Sequence, residues 1–358
     1  MGRKSPQITQ ISADSKRPRL DSVGSGGLTQ CAESWLRSVV LIRLAQTGPN
    51  AKHPWPLDAA YLLRHKSSAP MPDHTLTGNI HSHPQFESRI LRNRRDVLVY
   101  LPPGYRRSRT RRYPVMYLHD GQNVFDAATS FGGVEWGADE TAQRLVQEKL
   151  IEPLIIVAVA NTGGNRIHEY APTAGRVYPH KRARSKGLLR KYGRFLVNEL
   201  KPFIDAAYRT LPDAEFTGLG GSSLGGLATM SLGLWFPKVF TRLAVMSPSI
   251  WWDEFILYDM VDAVDKAARP PLKVWLDTGT SEEGWEHVRG LRDRLVEKGW
   301  RLNDDLFYVE DEGSGHSEAA WAHRLDPVLR FLYPPVSAAT AMVRRRKPVI
   351  LRSTPTLV

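Results

Sequence analysis

The string Gly221-Ser222-Ser223-Leu224-Gly225, inside the longer GGSSLGGL, has the spacing G-x-S-x-G. At a strand-to-helix turn that spacing presents a serine hydroxyl as a nucleophile, because flanking glycines let the chain turn sharply without side-chain clashes. Residues 216–220 read as the strand before it, and a helix running through Met230 and Leu232 toward Pro237 follows. The turn strains its central residue and lifts the Ser223 hydroxyl above the positive end of that helix. The amide of Leu224 is then aimed at an oxygen on which negative charge develops. Ser222 has Leu224 rather than glycine two residues on and is the weaker nucleophile.

A hydroxyl attacks only when a base takes its proton. Of 11 histidines, His316 has the best setting: Gly313-Ser314-Gly315-His316-Ser317 directly follows the last expected strand, 306–310, and its glycines let the loop fold back over the sheet edge. His323 falls in an expected helix and reads as structural, while His81 and His83 share a strand face but offer a metal no third ligand. An acid that fixes the imidazole's tautomer belongs after the preceding strand, where Asp277, Glu282 and Glu283 are available. Asp277 ends the strand itself. Glu282 lies in the loop, where a longer side chain reaches back, and is preferred. A second oxyanion donor is expected from His119-Asp120-Gly121-Gln122-Asn123, through the N–H of Gly121 or Gln122. His119 and Asp120 themselves read as a hydrogen-bonded pair that shapes this loop.

These residues need a frame that brings strand ends together. Alternating or buried-type strands are expected at 85–89, 96–101, 115–119, 155–160, 216–220, 242–246, 272–277 and 306–309, with helices at 138–150 and 188–208. Strand–helix alternation from residue 115 onward predicts an α/β fold, a mostly parallel eight-stranded sheet with helices on both faces. Ser223, Glu282 and His316 then each follow a different strand. No internal repeat is visible.

The chain of 358 residues carries a formal net charge of +12, with 42% hydrophobic and 24% charged residues, an ordinary globular composition. The charge is unevenly placed: residues 1–78 contribute +5, residues 335–358 another +5, and the 256 residues between only +2. A nucleic-acid-binding body is therefore not expected. The single cysteine, Cys31, excludes an internal disulfide and a Cys-rich zinc site, and no apolar run reaches the ~20 residues of a membrane span. No apolar segment follows the basic start as in a secretory signal, so a cytoplasmic location is expected. Residues 1–77 read as a basic, poorly structured extension, 78–334 as the catalytic domain and 335–358 as a basic disordered tail.

From about 79 to 333 the sequence resembles the putative-esterase branch of the α/β-hydrolases, which includes esterase D, enterochelin esterases, feruloyl esterases and the antigen 85 acyltransferases. The matching strings are Val99-Tyr100-Leu101-Pro102-Pro103-Gly104-Tyr105, YPVMYLHDGQNVFD from Tyr113, Asn161 with Arg166 and Glu169-Tyr170-Ala171-Pro172, ELKPFIDAAYRT from Glu199, GGSSLGGL, and Ser247-Pro248-Ser249 before Trp251-Trp252. The resemblance implies an α/β-hydrolase fold, a serine–acid–histidine set containing Ser223 and His316, a small-molecule ester as substrate and no cofactor or metal. Many members carry Asp three residues after the glycine matching Gly279; here Glu282 stands there. Acyl transfer to an alcohol is the alternative chemistry on the same fold, and a non-catalytic basic binding protein the alternative of another class. Trp136, Trp251 and Trp252 are candidates for the wall of an acyl or aromatic pocket, with the core as their other reading. The basic run 181–186, with Arg190, Lys191 and Arg194, would favour anionic esters if it overhangs the site and otherwise forms a solvated face.

Overall fold

A computed structural model describes residues 9–12, 73–175 and 184–336. Eight strands between Asn79 and Asp311 form the expected α/β sheet: β2 (Asn79–Ser88), β3 (Asn93–Leu101), β4 (Val115–His119), β5 (Ile155–Val159), β6 (Thr217–Ser222), β7 (Arg242–Met246), β8 (Lys273–Gly279) and β9 (Leu306–Asp311). A four-residue strand, β1 (Thr9–Ser12), pairs antiparallel with the start of β2. Strand β1 falls inside the stretch expected as an extension, and 73–77 forms no helix or strand but hydrogen-bonds to the body, while 13–72 and the tail beyond 336 lie outside the described residues.

The sheet order is β1-β2-β3-β5-β4-β6-β7-β8-β9. The pairs β1/β2, β2/β3 and β3/β5 are antiparallel, and β5 through β9 run parallel. After β5 the chain crosses β4 and adds every later strand on the other side. The switch point therefore lies between β4 and β6, where the loops beyond the strands' carboxyl ends diverge and leave a crevice. The loop 120–123 and the elbow at Ser223 both open there.

The central strands are short and almost wholly apolar because both faces are covered. Along β4, Val115 and Tyr117 face the helices α3 (Leu189–Phe195), α4 (Lys201–Ala207) and α5 (Leu224–Trp235), with α6 (Ile256–Asp262) and α7 (Trp285–Glu297) farther along the same layer. Met116 and Leu118 face α1 (Ala138–Gln147) and α8 (Glu318–Leu332). This period-two division carries through the sheet: Val157 lies on the first face, Ile156 and Ala158 on the second. The helix expected at 188–208 is interrupted by a π turn at Leu196–Leu200. Pro202 at the start of α4 is the physical reason, since it lacks the N–H that would continue regular pairing.

One buried ion pair ties the antiparallel strands to this helical layer. Arg95 of β3 donates through Nη2 to both Glu169 oxygens at 3.0 and 2.9 Å, and neither side chain is more than 2% exposed. The guanidinium also lies over the Phe195 ring at 4.8 Å. Removing one member leaves the other charge buried alone, which costs about 3–5 kcal/mol. We expect Glu169→Leu to destabilise the protein by that order in urea unfolding, and a second substitution, Arg95→Met, to recover a large part of the loss.

Candidate active site

Ser223 stands between β6 and α5 at φ 58°, ψ −122°, a region a non-glycine residue occupies only when its surroundings impose it. They do so here through the backbone. The Ser223 N–H donates to Met246 O at 3.0 Å, and its carbonyl accepts from Leu227 N at 3.1 Å and Ser249 N at 3.0 Å. Its hydroxyl lies 3.4 Å from that of Ser249. Leu224 is the first residue of α5, so its N–H is one of the donors a helix's first turn leaves without an intrahelical acceptor. Ser222, by contrast, is buried at the end of β6.

The imidazole of His316, 44% exposed, is held by a carboxylate that is 6% exposed: Nδ1 lies 2.8 Å from Glu282 Oε2. Burial alone would raise the Glu282 pKa, but hydrogen bonds from His316, the Ser247 hydroxyl and the Gly279 N–H outweigh it and hold the carboxyl below its usual range. An ionised Glu282 requires the proton on Nδ1, which leaves Nε2 free to accept one. The other two carboxylates behave differently. Glu283 is exposed. Asp277 is fully buried and accepts from Trp275 Nε1 at 2.6 Å and Ser247 N at 3.1 Å. Burial pushes its pKa up to about 6 against the pull of Arg324.

Three side chains to which the sequence assigned no role organise this acid. Arg324, 3% exposed in α8, reaches Asp277 Oδ1 at 3.2 Å and Glu282 Oε1 at 3.5 Å. The Ser247 hydroxyl donates to Glu282 Oε1 at 2.6 Å while accepting from Trp321 Nε1 and Arg324 Nη2, each at 3.0 Å. Trp321 also packs its ring edge-on against His316, centroids 4.9 Å apart. The loops carrying acid and base are laced directly, with Ser281 N donating to Ser314 O and Thr280 N to Asp311 O, both at 3.0 Å. A Cβ on Gly279 would sit 2.1 Å from Ser314 O, so only glycine permits this approach.

The loop after β4 is shaped otherwise than the sequence suggested. His119 and Asp120 are not bonded to each other. His119 Nδ1 meets the Tyr192 hydroxyl at 3.0 Å, whereas Asp120, at φ 55°, takes Arg166 through two 2.8 Å bonds and Asn161 Nδ2 at 2.7 Å. Burial opposes the Asp120 charge, but Arg166 and Asn161 more than compensate and hold its pKa low. Gly121 is required because a Cβ there would come within 2.5 Å of the Ala158–Val159 backbone, not because a ligand needs the room. Gln122 turns its side chain inward, Oε1 accepting from Asn161 N at 3.2 Å.

Of the three tryptophans, Trp136 and Trp252 are core, 2% and 0% exposed, and present no surface to a ligand. Trp252 instead donates to Thr173 Oγ1, and Trp136 packs on Trp321. Trp251, 40% exposed and two residues beyond Ser249, is the one of the three open to solvent. His81 and His83 share the Tyr208 hydroxyl as partner, at 3.4 and 2.6 Å. In the basic run, 181–183 lie outside the described residues, and Arg190 lies over the Trp235 ring at 3.9 Å.

The "Putative esterase" family model matches residues 88–332. Among related sequences, YbbA of Bacillus subtilis (strain 168) is 24% identical over 253 residues, spanning 67% of this chain and 93% of its own. Ferri-bacillibactin esterase BesA of the same organism is 26% identical over 228 residues, 57% of this chain and 73% of its own. Among solved structures, the BES protein from Bacillus cereus superposes with a TM-score of 0.56 at 21% identity, over 75% of this chain and 99% of that one.

The fully buried His119 gives a pH signature. Burial lowers its pKa from 6.5 to about 4, so it stays neutral in the fold while the unfolded chain takes up a proton. The unfolded state then binds more protons between those values, and stability falls as pH drops from about 6.5 toward 4, by about 3 kcal/mol from this group. We expect urea titrations across that range to show the loss in the wild type and a flatter slope in His119→Phe.

Proposed function

The chain belongs to the putative-esterase family of α/β-hydrolases, and we propose that it hydrolyses carboxylic esters through an acyl-enzyme on Ser223, with His316 as base and Glu282 as its orienting acid. The observation that carries this reading is the 2.8 Å contact between His316 Nδ1 and a buried Glu282 held ionised. It fixes the imidazole in the tautomer that can accept a proton from a serine hydroxyl.

In the first step His316 Nε2 takes the Ser223 proton as the oxygen attacks the ester carbonyl. The tetrahedral oxyanion is held by the Leu224 N–H and by the Gly121 or Gln122 N–H at the switch point, two donors fixed before reaction. His316, now charged and stabilised by Glu282, gives the proton to the departing alkoxide, and a water activated by the same imidazole releases the acid. Glutamate in place of the aspartate common in this branch serves because Ser247 and the Gly279 N–H hold its far oxygen, leaving Oε2 for the histidine.

The exposed face of Trp251 supports esters with a flat or apolar group beside the scissile bond. BesA acts, by its name, on ferri-bacillibactin, and a solved neighbour with TM-score 0.57 is a ferulic acid esterase. Ferulic acid is an aromatic acid, and we take esters of aromatic acids as the first class to assay.

Ser223→Ala should lower kcat/KM for p-nitrophenyl acetate by at least about 10³-fold and abolish labelling by a fluorophosphonate probe, with the thermal melt unchanged. Full activity in the folded variant would overturn the assignment. Glu282→Gln should lower kcat by about 10²–10⁴-fold with little change in KM, because it acts on the base and not on the substrate.

A further inference from the structure

A second group of titratable side chains lies outside this site, where the segment 73–77 crosses the start of α1. Glu135, Asp139 and Glu140 place one carboxylate oxygen each within 4.8 Å of one another. Each uses its other oxygen in an ordinary way: Glu135 Oε1 accepts from the Thr75 hydroxyl, Asp139 Oδ2 from Thr77 N at 2.6 Å, and Glu140 Oε1 from the Thr77 hydroxyl at 2.5 Å. The remaining three, Glu135 Oε2, Asp139 Oδ1 and Glu140 Oε2, are all buried and accept from no donor group among the described residues, although the Asp139 and Glu140 carboxyls lie within hydrogen-bond reach of each other. Asp139 is 0% exposed. The Tyr100 hydroxyl, also fully buried and without a partner, feels the Asp139 and Glu140 charges directly. Among the described residues no Lys, Arg or His pairs with any of the three carboxylates. The first turn of α1 favours negative charge, but by roughly 0.3–1 kcal/mol per group. That is small beside the cost of crowding the buried Asp139 carboxylate against two partly buried ones.

We propose that Glu135, Asp139 and Glu140 form a calcium site. The donors are oxygen only, which selects a hard cation. Within that class a set of three protein carboxylates favours Ca²⁺, since Mg²⁺ dehydrates reluctantly and is usually held by one or two carboxylates with several waters. Calcium also tolerates irregular oxygen shells that Mg²⁺ does not, and water would complete its coordination here. The ion would fasten the segment 73–77 to the body of the protein. Thr75 and His74 also hold Asp126 and Ala127, just beyond the loop that starts at Gly121. Neutralising the group by a proton shared between Asp139 and Glu140 is the competing outcome.

The test uses the full chain, stripped with EGTA and dialysed against radiolabelled Ca²⁺ at neutral pH. One ion per chain is expected, with affinity at least tenfold weaker in Asp139→Asn and in Glu140→Gln. Glu135 is half-exposed at the rim, so Glu135→Gln, checked for folding by circular dichroism, serves if the buried variants do not fold. No saturable uptake by the wild type at millimolar Ca²⁺ overturns the proposal in favour of the shared proton. Uptake undiminished in folded Glu135→Gln, or uptake of Mg²⁺ but not Ca²⁺, overturns it as well.

Discussion

The candidate site depends on keeping a carboxylate ionised inside the protein beside a second one. Asp277 and Glu282 approach each other at the end of β8, and Arg324 lies against both. One guanidinium cannot neutralise two full charges, and the structure divides the burden unequally. Asp277 is pushed toward its neutral form, while Glu282 stays charged because Ser247, Gly279 and His316 all donate to it. The inequality leaves the ionised carboxylate next to the imidazole. Ser247 connects this arrangement to the elbow: it follows Met246, whose carbonyl receives the Ser223 N–H. The strain at Ser223 and the charge on Glu282 are therefore held by one turn at the end of β7.

Sheet topology explains why the two halves of the site can be built separately. The acid and base loops follow β8 and β9 and are sewn to each other, whereas the oxyanion loop follows β4 and is anchored through Asp120 to Arg166 and Asn161. Between them stands Ser223 on β6, next to β4 in the sheet and two strands from β8. Each half has its own buried ion pair, Arg324 on one side and Arg166 on the other. A change in one cluster can thus alter the imidazole without moving the oxyanion donors.

The sequence made Ser223, Glu282 and His316 legible because each stands in a loop after a short apolar strand, and loops after parallel strands converge at one edge. Glycine spacing marked the elbow, where close backbone approach admits no Cβ, and the loop that carries His316. Arg324, Ser247 and Trp321 left no such trace. Two lie a helical turn apart in α8, where Ala319-Ala320-Trp321 reads as an ordinary amphipathic helix, and their function comes from which strand that helix covers. Trp136 and Trp252 show the converse: an aromatic near a motif carries no sign of whether it faces the crevice or the core. His119 and Asp120 are neighbours whose side chains leave the backbone on opposite sides of a strand end, so adjacency in sequence misrepresents their partners. Strand β1 was illegible because a run of four residues is too short to show a strand's alternation, and only the open edge of β2 gives it a place.

The near-neutral charge of the body also reads differently against the structure. A net of +2 over residues 79–334 conceals a local ordering, in which four buried carboxylates meet a guanidinium: Glu169 with Arg95, Asp120 with Arg166, Asp277 and Glu282 with Arg324. Arginine suits this role because its planar fork offers several donors and cannot deprotonate. Glu135, Asp139 and Glu140 break the pattern in the same molecule, with three acids and no guanidinium. At the proposed calcium site a hard cation would do for these three acids what arginine does for the other four.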